Sequence, residues 1–158
     1  MASWRETSVD DPEAHDLLAE YFASRARGFP GGPRAYRTVF PVAADFTPDA
    51  GVFLVIDQDG IGIGCGGVRR IAPGDDGLTR YEVKHIWVQP SHRGKGHGRL
   101  LLAELEHRAQ EFGAAELVLD TNASLEAAAS LYSAAGYVPI PAYNENPNAT
   151  NWYRKTLA

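Results

Sequence analysis

Apolar residues along the chain switch between two spacings. Leu17, Leu18, Tyr21 and Phe22 recur on one helical face after the pair Asp11-Pro12, and Gly28, Pro30, Gly31, Gly32 and Pro33 close the run. The spacing predicts a helix from Pro12 to about Arg27, capped by Asp11. Residues 33–50, broken by Pro41 and Pro48, read mostly as loop. Residues 52–57 are a continuous run of β-formers, and the turn Asp59-Gly60 joins them to 61–71 as a hairpin. Residues 81–88 alternate, with Tyr81, Val83, His85 and Trp87 expected on one face and Glu82, Lys84, Ile86 and Val88 on the other.

Pro90 stops that strand, and the helical spacing returns over 96–112 with Leu101, Leu105, Ala109 and Phe112 as its apolar stripe. Glu104 and Arg108 support it four residues apart, and Gly113 ends it. Residues 116–121 read as a strand. Ser124 is the expected cap of a last helix that carries Leu125, Ala128, Leu131 and Tyr132 and stops at Gly136. Residues 137–140 and 152–157 close the chain as strands. The fold class is α+β, a mixed and mostly antiparallel twisted sheet with flanking helices and one parallel crossover in the middle.

The length of 158 residues suits a single domain, 1–158. With 15 basic and 20 acidic residues the net charge is −5, which disfavours nucleic acid and leans toward a cationic small-molecule partner. The lone Cys65 excludes an intrachain disulfide, and no apolar run approaches the roughly 20 residues a membrane span needs. The acidic start lacks a secretory leader, so a cytoplasmic setting is expected.

The most informative chemistry lies in HRGKGHG, His92 to Gly98, between a strand and an amphipathic helix. Glycines there let a ligand approach the backbone, and the helix start offers unpaired N–H groups to an anion, with pyrophosphate as the natural guest. A P-loop needs Gly where Gln89 stands and Ser or Thr where Gly96 stands; a dinucleotide fingerprint needs Gly at Arg99. Gly62, Gly64 and Gly67 do spell G-x-G-x-x-G, but inside a strand that leads to no helix, so the match reads as chance.

The segment YEVKHIWVQPSHRGKGHGRLLL resembles the signature of the GNAT superfamily of acyl-CoA N-acetyltransferases, a strand, a Val-x-Pro turn and R-x-x-G-x-G/A opening a helix. Ala128, Leu131, Tyr132, Gly136 and Tyr137 resemble that family's A-x-x-L-Y-x-x-x-G-[FY] helix and strand, so the likeness spans about residues 52 to 158. One departure stands out: the Asn often found seven residues before the helix Tyr is Leu125 here, while Asn122 lies three residues earlier.

The resemblance implies an N-acetyltransferase that moves an acetyl group from acetyl-CoA to a primary amine by direct attack. It implies that backbone amides from Arg93, Gly94, Lys95, Gly96, His97 and Gly98, with Arg99 beside them, hold the cofactor's pyrophosphate. It implies that pantetheine pairs with Ile86, Trp87 and Val88, and it leaves open whether Asn122 makes the displaced Asn contact. Tyr132 matches the family's general acid, with plain core packing as the other reading. Glu82, taken to share a face with Ile86 and Val88, stands as catalytic base or amine-binding group, or else as a solvated carboxylate paired with Lys84 or Arg80. A base role requires partial burial to raise its ordinary pKa of about 4.3.

His85, His92 and His97 lack metal-ligand spacing, and no metal is expected. Cys65, with no base tied to it, reads as a buried structural thiol. The apolar face of the first helix reads as core, although that region often walls the acceptor pocket in such enzymes; the Asn- and Pro-rich stretch 143–151 reads as a loop between the last two strands and a candidate rim of the acceptor site, which the sequence leaves open. Two rival readings stay open: a non-catalytic acyl-CoA-binding sensor of the same fold, and a nucleotide-phosphate binder. The acceptor, a small molecule or a peptide amine, is not legible, and a homodimer through the final strands is common in the superfamily but unfixed here.

Overall fold

The computed structural model describes residues 2–157. Its strands are β1 Ala2–Glu6, β2 Gly51–Gln58, β3 Ile61–Ile71, β4 Arg80–Val88, β5 Glu116–Thr121, β6 Val138–Ile140 and β7 Asn151–Thr156. They form one sheet in the order β1-β2-β3-β4-β5-β7-β6. Neighbours are antiparallel except β4 and β5, the parallel pair that the crossover predicts. Helices α1 Pro12–Arg27, α2 His97–Glu111 and α3 Glu126–Ala134 flank it.

Local chemistry accounts for most boundaries. The Asp11 carboxylate accepts from the amides of Glu13 and Ala14 and starts α1 with Pro12 in its first turn. Glu104 and Arg108 pair at 2.7 Å on α2. The cap of α3 differs from expectation. Leu125, not Ser124, takes the N-cap position, because the Asn122 side-chain oxygen accepts the Ser124 amide and holds the preceding residues in a turn. Strand β1 is an addition: five residues pair with β2 from Ala2↔Gln58 to Glu6↔Leu54, and Ala2 and Trp4 pack on the core. So short a segment carries little periodic signal of its own, and its partner strand defines it.

The core lies in two layers. On one face Leu54, Val68, Tyr81, Val83, Leu117 and Leu119 pack under α2 through Leu101, Leu102, Leu105 and Ala109. On the other, Phe53, Val55, Cys65 and Trp87 pack under α1 through Ala14, Leu17, Leu18 and Phe22. The glycines of β3 belong to this packing. A Cβ at Gly64 would stand 2.5 Å from the Trp87 carbonyl oxygen, and one at Gly67 2.8 Å from the Phe46 ring. Their G-x-G-x-x-G spacing therefore reflects close strand and ring contact inside a sheet.

One irregularity sets the chemistry of the central strand. Between Cys65↔Trp87 and Gly67↔Lys84 strand β4 carries one more residue than β3, and His85 takes φ +62°. This bulge inverts the alternation. Ile86 and Val88 join Tyr81 and Val83 on the α2 face, and Trp87 packs on the α1 face. Glu82 therefore does not share a face with Ile86 and Val88, as a strict period of two predicts.

Candidate active site

The parallel pairing of β4 and β5 runs only from Arg80↔Glu116 to Glu82↔Val118. Beyond it β5 stays bonded to β7, while the β4 edge from Val83 to Val88 has no strand beside it among the described residues. The sheet splits there, and a cavity of about 860 Å³ occupies the opening. Strand β4 from Val83 to Val88 forms one wall, Asp120 and Thr121 of β5 the other, and α1, α3 and the loop before α2 complete it. A strand edge with free N–H and C=O groups facing a cavity is a template for an extended ligand.

The 92–98 loop lies at this cavity. Gly94 and Gly96 take φ +78° and +84°, conformations costly for any residue with a Cβ. Gly96 caps α2 without a side-chain bond, so the first-turn amides of His97, Gly98 and Arg99 point outward without capping partners. Arg93 is fixed by its side chain: its Nε donates to the Val88 carbonyl at 2.9 Å and its guanidinium lies 4.9 Å above the Trp87 ring. Trp87 is in turn held by Glu20 at 3.1 Å. Arg93, Gly94, Gly96, His97, Gly98 and Arg99 all line the cavity; Lys95 is exposed beside it and does not.

Tyr132 of α3 is 8% exposed and lines the cavity, and its hydroxyl makes no hydrogen bond among the described residues. Burial pushes its phenol well above the usual range, so the group stays protonated. Leu125 and Leu131 line the same side. Asn122 does not reach the cavity. At 5% exposure its amide donates to the Asn148 carbonyl and its oxygen accepts from Ser124, so both polar ends hold loops.

Glu82 is 1% exposed and lies outside the main cavity. Its carboxylate accepts from Arg69 at 2.9 Å and from the Tyr143 hydroxyl at 2.5 Å, with Lys84 at 3.7 Å. This is neither a solvated carboxylate nor a group facing the split; it ties the β6–β7 connection to the sheet. Burial and the Glu82 charge push the Tyr143 phenol far up, keeping it a donor.

Two carboxylates line the cavity, Asp45, which pairs with Arg69, and Asp120 of β5. Asp120 receives Lys84 at 3.3 Å and the Asn144 amide at 2.7 Å. Burial raises its pKa, but Lys84 and hydrogen bonds from Asn144 and Asn146 outweigh that and leave it below the usual carboxylate range. His85 faces the cavity from the bulge with a buried, unpartnered Nδ1. Burial, then the charges of Lys84 and Arg69, lower its pKa from 6.5 to about 3, so the ring is neutral. Cys65 is buried beneath, its thiol pushed up by burial and directed at the His85 carbonyl.

Two loops roof the far side. The Asn148 side chain accepts from the Arg37 amide at 3.0 Å and donates to the Arg37 carbonyl at 2.6 Å, clasping the stretch after α1 to the β6–β7 connection. The Asn- and Pro-rich stretch thus borders the cavity through Asn144, Asn146, Pro147 and Asn148, and α1 through Tyr21, Phe22 and Arg25. Sequence reasoning missed Asp120, His85 and Arg25. Asp120, a carboxylate directly after the apolar run 117–119 of β5, carries a local signal; the other two become visible only through the bulge and the packing of α1.

A mixed sheet split at its one parallel pair, with a glycine-opened helix at the split, is the architecture of the acyl-CoA N-acyltransferase fold. The chain belongs to the acetyltransferase (GNAT) family, whose profile matches residues 12–137. An uncharacterized N-acetyltransferase of Schizosaccharomyces pombe is 33% identical over 103 residues, covering 65% of this chain and 61% of that protein. The IAA acetyltransferase of Azospirillum brasilense is 34% identical over 98 residues, covering 60% of this chain and 61% of that protein. The chain thus spans about three fifths of the length of these curated relatives. Among solved structures, a chain of the NatC complex bound to Gag peptide and CoA superposes with a TM-score of 0.70 at 18% identity, over 99% of each chain. At that identity the likeness concerns the fold.

Proposed function

We propose that this chain transfers an acetyl group from acetyl-CoA to a primary amine by direct attack. The observation that carries the reading is the free β4 edge, flanked by the unpartnered amides of the α2 start and the unpartnered hydroxyl of Tyr132. The residues fit the cosubstrate. The amides of Gly94 to Arg99, with Arg93 and Arg99 nearby, suit a diphosphate. Ile86 to Val88 suit a pantetheine arm laid beside the strand, whose N–H groups also face a thioester carbonyl as charge develops on it.

In this reading the amine nitrogen bonds to the thioester carbon, the carbon–sulfur bond breaks, and Tyr132 gives its proton to the departing thiolate. Asp120 holds the incoming ammonium, and the proton lost by the amine passes to solvent. Glu82 is not assigned the base role, since it does not line the cavity and its carboxylate is engaged by Arg69 and Tyr143. It positions the loop that contributes Asn144.

The test is calorimetric titration with CoA, followed by thiol release from acetyl-CoA across a panel of amines. CoA binding and turnover of at least one amine are expected. Tyr132→Phe should keep CoA affinity within about twofold and lower kcat by roughly 10²- to 10⁴-fold, the range for losing a general acid. Absence of CoA binding, or of turnover with every amine while CoA binds, overturns the reading.

A further inference from the structure

The net charge of −5 leans toward a cationic acceptor, but the cavity is charged the other way. Six cationic side chains line it against two acidic ones. Arg93 and Arg99 belong to the diphosphate end. Of the rest, Arg69 pairs with Asp45 and Glu82, and Lys84 with Asp120 and Glu82. Arg25 and Arg37 are left without an ion pair among the described residues; Arg37 is exposed, and Arg25 is the partly buried one.

Arg25 is also built into place. It is half-buried in the last turn of α1, with its guanidinium 5.8 Å from the Tyr21 ring and 5.4 Å from the Tyr36 ring. One N–H donates to the Tyr21 hydroxyl at 3.1 Å. A guanidinium carries five N–H donors in a planar fork, so most of the fork is open to a planar anion. Arg25 and Asp120 line the same cavity as Tyr36, His85 and Tyr132. An anion-binding and an ammonium-binding group therefore share one cavity.

Resting on the transferase reading above, we infer that the acceptor carries a carboxylate close to its reacting amine, held by Arg25 while Asp120 takes the ammonium. The acceptor class is the free amino acid or a closely similar amino-carboxylate. Polyamines, which bring no carboxylate, are disfavoured by the unpaired cation. Peptide amino termini lack the neighbouring carboxylate.

The experiment compares free amino acids with their carboxamides, and with dipeptides of the same first residue, at saturating acetyl-CoA. The wild-type protein should prefer an acid over its amide by about 10- to 100-fold in kcat/KM, mostly through KM, the scale of one charge-assisted hydrogen-bonded pair. Arg25→Gln should erase that preference and keep CoA affinity by calorimetry. Acids and amides accepted equally by the wild type, dipeptides preferred to free amino acids, or a preference that survives Arg25→Gln overturns the inference alone. The wild-type comparison stands even if the variant does not fold. Loss of CoA affinity in Arg25→Gln with the acid preference intact assigns Arg25 to the cosubstrate and also overturns it. If no amine of any class is acetylated, the transferase reading itself falls.

Discussion

His85 combines a left-handed backbone, a buried Nδ1 without a partner and a ring that resists protonation. Each follows from the bulge, which turns the residue into the cavity wall, its ring against Tyr21, Phe22 and Phe46. Folded, it binds a proton only near pH 3, whereas the unfolded chain does so near 6.5. Between these values the unfolded state holds more protons, so acid favours unfolding, with at most about 1.4 kcal/mol lost per pH unit from this group. Thermal melts should show stability falling as pH drops from about 6.5 toward 3, and His85→Asn, which tolerates positive φ, should flatten that slope. An unchanged slope excludes His85 as its source. The same scale separates Tyr132 from Glu82. The first is readable from a motif and lies at the cavity; the second stands on the right strand, yet its carboxylate is held by groups 13 and 61 residues away.

At the scale of elements, two devices position the site. One is the start of α2, where a residue at φ +84° lets the helix begin without a side-chain cap and leaves its first amides unpaired. A Cβ at Gly96 meets nothing nearer than Arg99 at 3.7 Å, so the cost of a side chain there is conformational and not steric. Gly96→Ala should lose roughly 1–2 kcal/mol, about 2–8 °C in Tm for a chain of this size, and weaken CoA binding several-fold. Calorimetry and a thermal melt check both, and CoA affinity equal to wild type would separate the loop from the cosubstrate. The other device is β4 itself. Its first residues are locked between β3 and β5, and its later ones are bonded on one side only. The alternation visible in the sequence is true for each half of the strand and false across the bulge, because one inserted residue reverses every side chain that follows.

Across the whole molecule, the two faces of the sheet carry separate duties. The α2 face holds the larger apolar cluster, and the α1 face adds the walls of the cavity. The roof is a clasp between segments 111 residues apart, made by the two hydrogen bonds of Asn148 to the Arg37 backbone. Asn148→Ala removes both, at about 1 kcal/mol each. Proteolysis within residues 33–42 should accelerate and acceptor KM should rise several-fold, with CoA affinity unchanged. Equal proteolysis and KM would show that the clasp does not shape the acceptor side.

Periodicity, caps and turns act over a few residues, so the chain alone determined which segments other than β1 are helix or strand, the single parallel crossover and the glycine-opened start of α2. Asp11, Pro12, Gly60 and Gly96 act through their immediate neighbours and are legible for that reason. Tertiary structure decided which side chains meet. Strand β1 exists through its pairing with β2, and an extra residue in β4 turned Ile86 and Val88 away from the face of Glu82. Asn122 went to the loops it bonds, and Arg25 came to the cavity with the packing of α1. Those outcomes depend on contacts between residues tens of positions apart, whose closure is set by the assembled sheet and not by any local pattern.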